Sequence, residues 1–437
     1  MPEVVVIGGG LAGSWAAAIA AGSGASVTLV RRAYGATATC AGPIDFVPPA
    51  EATGAASWLD RLPRSAPDHP YVAGGTAPSL AELAAGAAQL AEALAAAGLP
   101  TRVALDAPML LAGITGQVRH ASMAPETQAA GDLSRFTGRT VLVAGIAGLA
   151  RFDAIAVAAA LDERRIGWPA PLRARATTLT PDVPGVAPDV AADLDDATLA
   201  RALEAPGGAE SLGAALAGVL AGTPADVVLL PAVLGLDAPD AVATRVSQAA
   251  GGTPIAELLT SPPSAPGWRL QQACDRIAAL AGVRLVAASV SSVRIEGRTA
   301  VAVELEGSGE LLPCDALVLA TGKYLGGGVV ADPRPREPLL DLPLFSAGVP
   351  VSRLALRDLV ERARFRDQPF ASLGVQTDAA GAPLDEHGHT VLDNLTACGD
   401  LLAGMDPTLS GGGLGVAAWT AARAARTAAR RAGSVPA

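Results

Sequence analysis

The chain is 437 residues long, with 50% apolar residues, 17% charged residues and a formal net charge of −10. That length accommodates two or three domains with cores of their own, and the composition is that of a compact globular chain. The two signs of charge are interspersed and no long basic run occurs, which excludes the electrostatic footprint of a nucleic-acid binder.

The chain opens MPEVVVIGGGLAGSWAAAIAAGSGASVTLVRR. Residues 3–8 read as a buried strand, 11–22 as a helix and 26–30 as a second strand. No basic segment precedes the first strand, so no secretory leader is expected. From about 45 to 265 the pattern is mixed and rich in Pro and Gly. Within it, LAELAAGAAQLAEALAAAGLP is helical, because Ala is the best helix former and Leu80, Leu83, Leu90 and Leu94 recur near helical spacing. VLVAGIAGLARFDAIAVAAALDERRIG reads as strand, turn and helix. DVVLLPAVLGL reads as a buried strand after a helix. Pro224, Asp226 and Pro231 break the most apolar stretch, so no membrane span is expected there. This is α/β material, expected to form an inserted domain.

A new pattern begins near Trp268. LQQACDRIAALAGVRLV reads as helix then strand. The following residues read as short strands joined by turns, ending on an apolar run and Ala320-Thr321-Gly322. The C-terminal end reads as a short strand, Gly399-Asp400, a Gly-rich loop and a long helix. Arg423, Arg426, Arg430 and Arg431 on that helix are expected on a solvated face near its C-terminus, where positive charge is favoured. Cys40, Cys274, Cys314 and Cys398 lie far apart without CxxC spacing, so neither an iron–sulfur cluster nor a zinc site is expected.

Gly8-Gly9-Gly10-Leu11-Ala12-Gly13 contains the spacing GxGxxG between a buried strand and a helix. Gly8 permits the tight turn, Gly10 the approach of a pyrophosphate, and Gly13 close helix–strand packing. The helix N-terminus offers N–H groups to phosphates. LVLATG after a strand meander, and ACGD at 397–400 before a Gly-rich helix entry, are typical of flavoproteins with the FAD-type Rossmann domain. In such folds the Asp of Gly-Asp bonds the ribityl chain, and the helix points its positive end at the flavin. The residues expected at the cofactor are Gly8, Gly10, Leu11, Ala12, Gly13, Arg31, Arg32, Thr321, Gly322, Gly399, Asp400, Gly411, Gly412 and Gly413. Arg31 departs from the pattern. Strand two ordinarily ends on an acid that holds a ribose, and guanidinium has donors only. Arg31 either binds a phosphate or points to solvent, and the flavin is either FAD held in an altered way or FMN.

The sequence also resembles the B-type flavoprotein subunits of anaerobic glycerol-3-phosphate dehydrogenases over almost its whole length. The resemblance runs through VVIGGGLAG, the basic residue after strand two, DHPY (68–71), LVAGIAGLARFDA (142–154) and LLPAVLGL (229–236). It continues through ATGKYLGGGVVA (320–331), REPLLDL (336–342), LGVQTD (373–378) and the MDP and Gly-rich loop at 405–415. It implies a flavoprotein working beside an A-type flavoprotein subunit that oxidises glycerol 3-phosphate. A C-type iron–sulfur subunit would anchor the complex at the inner face of the cell membrane and pass electrons toward quinone. The chain itself would be cytoplasmic and meet the membrane only through that partner.

Lys323 and Arg336 are the candidate catalytic residues. Lys323 follows ATG in a loop expected near the flavin. A cap-region Arg such as Arg336 can bind an anionic substrate or shuttle a proton; the alternative is an ion pair with Glu337. His69 in DHPY reads as structural. His387 and His389 read as turn residues without a third metal ligand. No serine–histidine–acid set points to a hydrolase.

The expected fold is α/β. The flavin-binding domain comprises 1–45, 268–335 and 385–437, with an inserted α/β domain at 46–267 and a cap-like segment at 336–384. Two rival readings stand beside that of a complex subunit: a stand-alone flavin oxidoreductase on another small anionic substrate, and a non-catalytic scaffold that has lost its flavin.

Overall fold

The computed structural model describes residues 1–163, 172–185, 194–363, 366–407 and 411–433. Residues 164–167 and 408–410, which the sequence pattern assigns to a strand–turn–helix and to the Gly-rich loop, lie outside the described residues. In chain order, the principal elements begin with β1 (Glu3–Ile7), α1 (Leu11–Gly22), β2 (Ser26–Val30) and α2 (Leu80–Ala96). Then come β3 (Thr140–Ile146), α3 (Ala154–Glu163), β4 (Arg173–Leu179), α4 (Gly208–Gly222), β5 (Val227–Leu230) and β6 (Ile255–Glu257). They are followed by α5 (Ala265–Leu280), β7 (Arg284–Val286), β8 (Val290–Glu296), β9 (Thr299–Leu305) and β10 (Leu311–Pro313). The last are β11 (Ala316–Leu319), β12 (Leu395–Ala397) and α6 (Gly413–Arg431).

The chain divides into two compact units, one of residues 1–37, 44–97 and 273–437, the other of 38–43 and 98–272. The first is built on a five-stranded sheet, among the described residues, in the order β7-β2-β1-β11-β12. Every pairing in it is parallel. Parallel strands are covered on both faces and therefore read as continuous apolar runs. In β1, Val4, Val5, Val6 and Ile7 are all buried. α1 packs against α6. The buried face of α6 is largely Ala, including Ala417, Ala421, Ala424, Ala425 and Ala428. Side chains this small let a neighbouring helix approach closely. β8, β9 and β10 form an antiparallel meander.

Residues 46–97, expected in the insertion, group with this first unit. The reason lies in α2. Leu83, Ala87, Leu90 and Leu94 are buried, and the helix packs on α6, where a Cβ at Gly86 would rest 3.4 Å from Trp419. A Ser79–Glu82 capping box starts the helix: Ser79 N–H donates to Glu82 Oε2 at 2.8 Å, and Glu82 N–H donates to Ser79 Oγ at 3.2 Å. The terminal arginines also differ from expectation. Arg423 Nη1 donates to Pro70 O at 3.2 Å and Arg431 Nη1 to Leu395 O at 3.0 Å. Arg426 and Arg430 are exposed. The helix lies against chain on more than one side, so two of its long side chains fold back to bare carbonyls.

The second unit carries a four-stranded sheet, among the described residues, in the order β6-β5-β3-β4. It too is parallel throughout. Its core holds a closed ion pair, Arg269 with Glu257, whose side chains are 2% and 0% exposed. Arg269 Nη2 donates to Glu257 Oε1 at 2.9 Å, Nε to Gly235 O at 2.7 Å, and Leu234 N–H to Glu257 Oε1 at 2.7 Å. The pair ties α5 to β6 and to the loop after β5, with its hydrogen bonding met from several sides.

Candidate functional site

β1 pairs with β2 on one side and β11 on the other. The chain therefore leaves β1 in one direction and returns beside it from the other, the topological switch at whose carboxyl edge α/β sheets bind ligands. Three strand ends meet at that edge: Gly8–Gly13 after β1, Ala320–Gly322 after β11, and Cys398–Asp400 after β12.

Glycine allows them to meet. Gly8 has φ +110, and a Cβ there would lie 2.2 Å from Ala320 O. A Cβ at Gly13 would lie 1.6 Å from Gly8 O. Gly399 has φ +77, and its Cβ would lie 2.8 Å from Ala12 Cβ. Side chains at these positions would push the turn, the first turn of α1 and the Gly399–Asp400 segment apart. Gly10 is tight against the protein itself, since its Cβ would meet Thr37 Oγ1 at 2.9 Å. Thr37 is a residue that sequence reasoning misses; its Oγ1 accepts the Leu11 N–H at 3.0 Å and caps α1. Gly412 is the N-cap of α6. Gly413 is packed too, with its Cβ position 2.7 Å from Pro407 Cβ, whereas Gly411 is exposed with φ +72.

Two buried oxygens here have no hydrogen-bond partner, Thr321 Oγ1 and Asp400 Oδ1. Unsatisfied buried acceptors are costly in a folded chain. They fit a polyhydroxy ligand whose hydroxyls complete them, so the residues present suit the ribityl chain of a flavin. Lys323 stands beside them, buried, with Nζ donating to Ala371 O at 2.6 Å and Met405 O at 3.4 Å. Its Nζ lies 3.7 Å from Asp400 Oδ1. Burial pushes the Asp400 carboxyl above its ordinary range, and the Lys323 charge opposes that rise. Burial pulls Lys323 down, and Asp400 and then Asp406 oppose that fall. Burial thus disfavours both charges, and each is the chief opponent of that effect on the other.

Arg31 and Arg32 separate. Arg32 is exposed. Arg31 is not solvated, since its side chain is 12% exposed. It makes a two-pronged ion pair with Asp275 of α5, Nη2 to Oδ2 at 3.1 Å, and its guanidinium lies 4.7 Å over the Tyr34 ring. Arg336 is exposed, and its side chain makes no hydrogen bond or ion pair among the described residues. Its expected partner Glu337 is buried and instead accepts the N–H groups of Leu339 at 3.0 Å and Leu340 at 2.7 Å. Of the two candidate catalytic residues, only Lys323 stands with Asp400.

His69 is buried, and its Nδ1 accepts the Tyr71 N–H at 3.1 Å. Asp385 Oδ1 accepts the N–H groups of His387 and His389, both at 2.8 Å, in a turn. Among the described residues no group of His, Cys, Asp and Glu could hold a metal ion, and no helix is long and apolar enough to cross a membrane.

A family model described as "FAD binding domain" matches residues 3–416. A Yersinia enterocolitica protein, named as the B-type subunit of anaerobic glycerol-3-phosphate dehydrogenase, is 30% identical over 424 residues, covering 95% of both chains. A Halobacterium salinarum protein, named as the probable B-type subunit of the same enzyme, is 30% identical over 449 residues, covering 98% of this chain and 97% of its own. The glycine-built edge, the unsatisfied Thr321 and Asp400 oxygens and the end-to-end match agree: the chain belongs to the FAD-binding flavoprotein family and, within it, to the B-type subunits of anaerobic glycerol-3-phosphate dehydrogenase.

Proposed function

We propose that the chain is the FAD-bearing B-type subunit of a glycerol-3-phosphate:quinone oxidoreductase, moving electrons from an A-type flavoprotein toward a C-type iron–sulfur subunit and quinone. The observation that carries the reading is the convergence of three strand ends on Thr321 Oγ1 and Asp400 Oδ1, two buried oxygens without a hydrogen bond. The names of the relatives support the assignment to such a complex. FAD, when bound, supplies two-electron uptake and its release to an acceptor.

The protein's own residues bind, orient and balance charge. The Gly8–Gly13 turn and the start of α1 would hold the pyrophosphate of a bound flavin. Asp400 and Thr321 would accept hydrogen bonds from its ribityl hydroxyls. The N-terminus of α6 would add the positive end of its dipole to the site. Lys323 sets a cation beside Asp400 and, through Ala371 O, fastens the cap-like segment 336–384 to the site. Lys323 is therefore a positioning residue, and Arg336 is left to act at the cap surface on an anionic substrate or a partner.

Reconstitution tests the reading. Dye reduction by glycerol 3-phosphate is assayed with this chain alone, with an A-type or a C-type subunit, and with both. Little turnover is expected from the chain alone, and turnover with quinone only from the full set. Full turnover by the chain alone would overturn the reading as part of a complex and promote a stand-alone oxidoreductase. A colourless purified chain that takes up no FAD would leave a scaffold.

A further inference from the structure

A cavity of about 270 Å³ lies within the first unit. Its walls come from within residues 63–75 and from the chain around Gln376 and Leu402. None of the residues described at the cofactor edge lines it. Side chains such as Val72 and Leu402 make part of the wall apolar, and Asp68, His69, Gln376 and Thr377 bring polar groups to it.

His69 is the buried polar group of this wall, 7% exposed. The rings of Trp58 and Tyr71 meet its own ring edge-on, with centroids 5.8 and 5.1 Å away. Its Nδ1 accepts the Tyr71 N–H at 3.1 Å. A nitrogen that accepts carries no proton, so the neutral ring carries its proton on Nε2. Burial pulls the imidazole down to about 4, which leaves it neutral near pH 7. Among the described residues Nε2 makes no hydrogen bond. With Nδ1 turned to its own loop, the ring therefore brings one fixed N–H donor to the cavity without an acceptor, an arrangement that folded chains ordinarily avoid. The side chains of Asp68 and Gln376 are half-buried, and they too make no hydrogen bond among the described residues. Arg423 does not line the cavity; its guanidinium is turned to two wall oxygens, Pro70 O at 3.2 Å and Thr377 Oγ1 at 3.5 Å.

We propose that this cavity binds a small uncharged polyol, with His69 Nε2–H, Asp68 and Gln376 as the groups that hydrogen-bond it. Each alcohol hydroxyl both donates and accepts. The wall offers the complement: a carboxylate that only accepts, a ring N–H that only donates, and an amide that does both. The apolar side chains cover the carbon skeleton between hydroxyls. An anion is disfavoured, because His69 brings no charge to it, Arg423 is turned to the wall, and the Asp68 carboxylate would repel it. The site stands whether or not the chain carries flavin.

The chain has four histidines, so nuclear magnetic resonance of the full chain, labelled with carbon-13 at histidine Cε1, gives each its own signal. The variants His120→Gln, His387→Gln and His389→Gln assign the other three. The labelled chain is titrated near neutral pH with glycerol, with sorbitol and with glycerol 3-phosphate. Both polyols are expected to move the His69 signal to saturation and to leave the other three in place. Glycerol 3-phosphate is expected to bind about tenfold more weakly than glycerol, since its phosphate faces the Asp68 carboxylate. Asp68→Ala removes the acceptor and is expected to weaken glycerol binding about fivefold or more, the scale of a hydrogen bond to a charged group. It breaks no side-chain hydrogen bond among the described residues, and far-UV circular dichroism checks that it folds. Should it not fold, Gln376→Ala is titrated in its place, with a loss of about threefold expected for a neutral hydrogen bond. No saturable shift at His69, equal shifts at all four histidines, a phosphate ester bound as tightly as glycerol, or undiminished binding in the folded variant overturns the proposal.

Discussion

Single residues carry two predictions that do not depend on a cofactor. His69 is buried beside Trp58 and Tyr71, and burial pulls its imidazole down to about 4. Above about pH 6.5, the ordinary value, neither the folded nor the unfolded chain protonates this histidine. Between that value and 4 the unfolded chain takes up a proton that the folded one refuses, so stability falls as pH falls through this window and levels off below it. A shift of that size is worth about 3 kcal/mol. Urea unfolding of wild type and His69→Gln across the window should show the slope reduced in the variant; identical slopes would refute the assignment. Lys323 gives the second. Lys323→Met leaves Asp400 Oδ1 buried without the cation that stood beside it. A loss of about 1–3 kcal/mol in unfolding free energy is expected, the scale of a stranded buried polar group. An unchanged urea midpoint would mean that the pair at 3.7 Å does no structural work.

At the scale of elements, glycines that look alike in sequence divide by what surrounds them. A Cβ at Gly13 would collide with Gly8 O at 1.6 Å, where α1 crosses its own turn. Gly13→Ala must therefore lift α1 off β1, and a folded, flavin-binding protein is not expected. Gly218 lies inside α4 with nothing within 4 Å of its Cβ position. Gly218→Ala is expected to stabilise by about 0.5–1 kcal/mol, the difference in helix propensity. Thermal melting of both variants measures the contrast, and equal effects would contradict the packing described. In the second unit, β6 and α5 are joined through Glu257 and Arg269. Glu257→Gln strands the buried guanidinium and is expected to cost about 3–5 kcal/mol in urea unfolding.

For the molecule as a whole, the ligand is part of the stability. Anything that binds only the folded chain stabilises it by mass action, about 2.7 kcal/mol at a free concentration one hundred times Kd. Calorimetry of apoprotein with added FAD should show the corresponding rise in melting temperature. A melting curve indifferent to FAD would break the link between the glycine-built edge and the flavin. The division into two units adds a detail to the readout: the site described lies wholly within residues of the first unit. Where two transitions are resolved, FAD should move the one that belongs to that unit.

Local pattern determined much of this protein. An unbroken apolar run followed by GxGxxG dictates a buried parallel strand, a tight turn and a helix, and β1, α1 and β2 stand within a residue of where the pattern puts them. The motifs LVLATG and ACGD marked Gly322, Gly399 and Asp400, and both glycines take a positive φ at a strand end. Tertiary structure alone decided what was paired over long range. No local signal in CDRIAAL marks Asp275 as the partner of Arg31, and nothing near Thr37 says that it caps a helix beginning 26 residues earlier. The apolar stripe of α2 did not reveal which unit it would join, since such a face specifies burial without naming the surface that buries it. Arg336 and Arg423 make the same point from opposite sides: a charged side chain faces water or a bare carbonyl according to what the rest of the chain brings beside it.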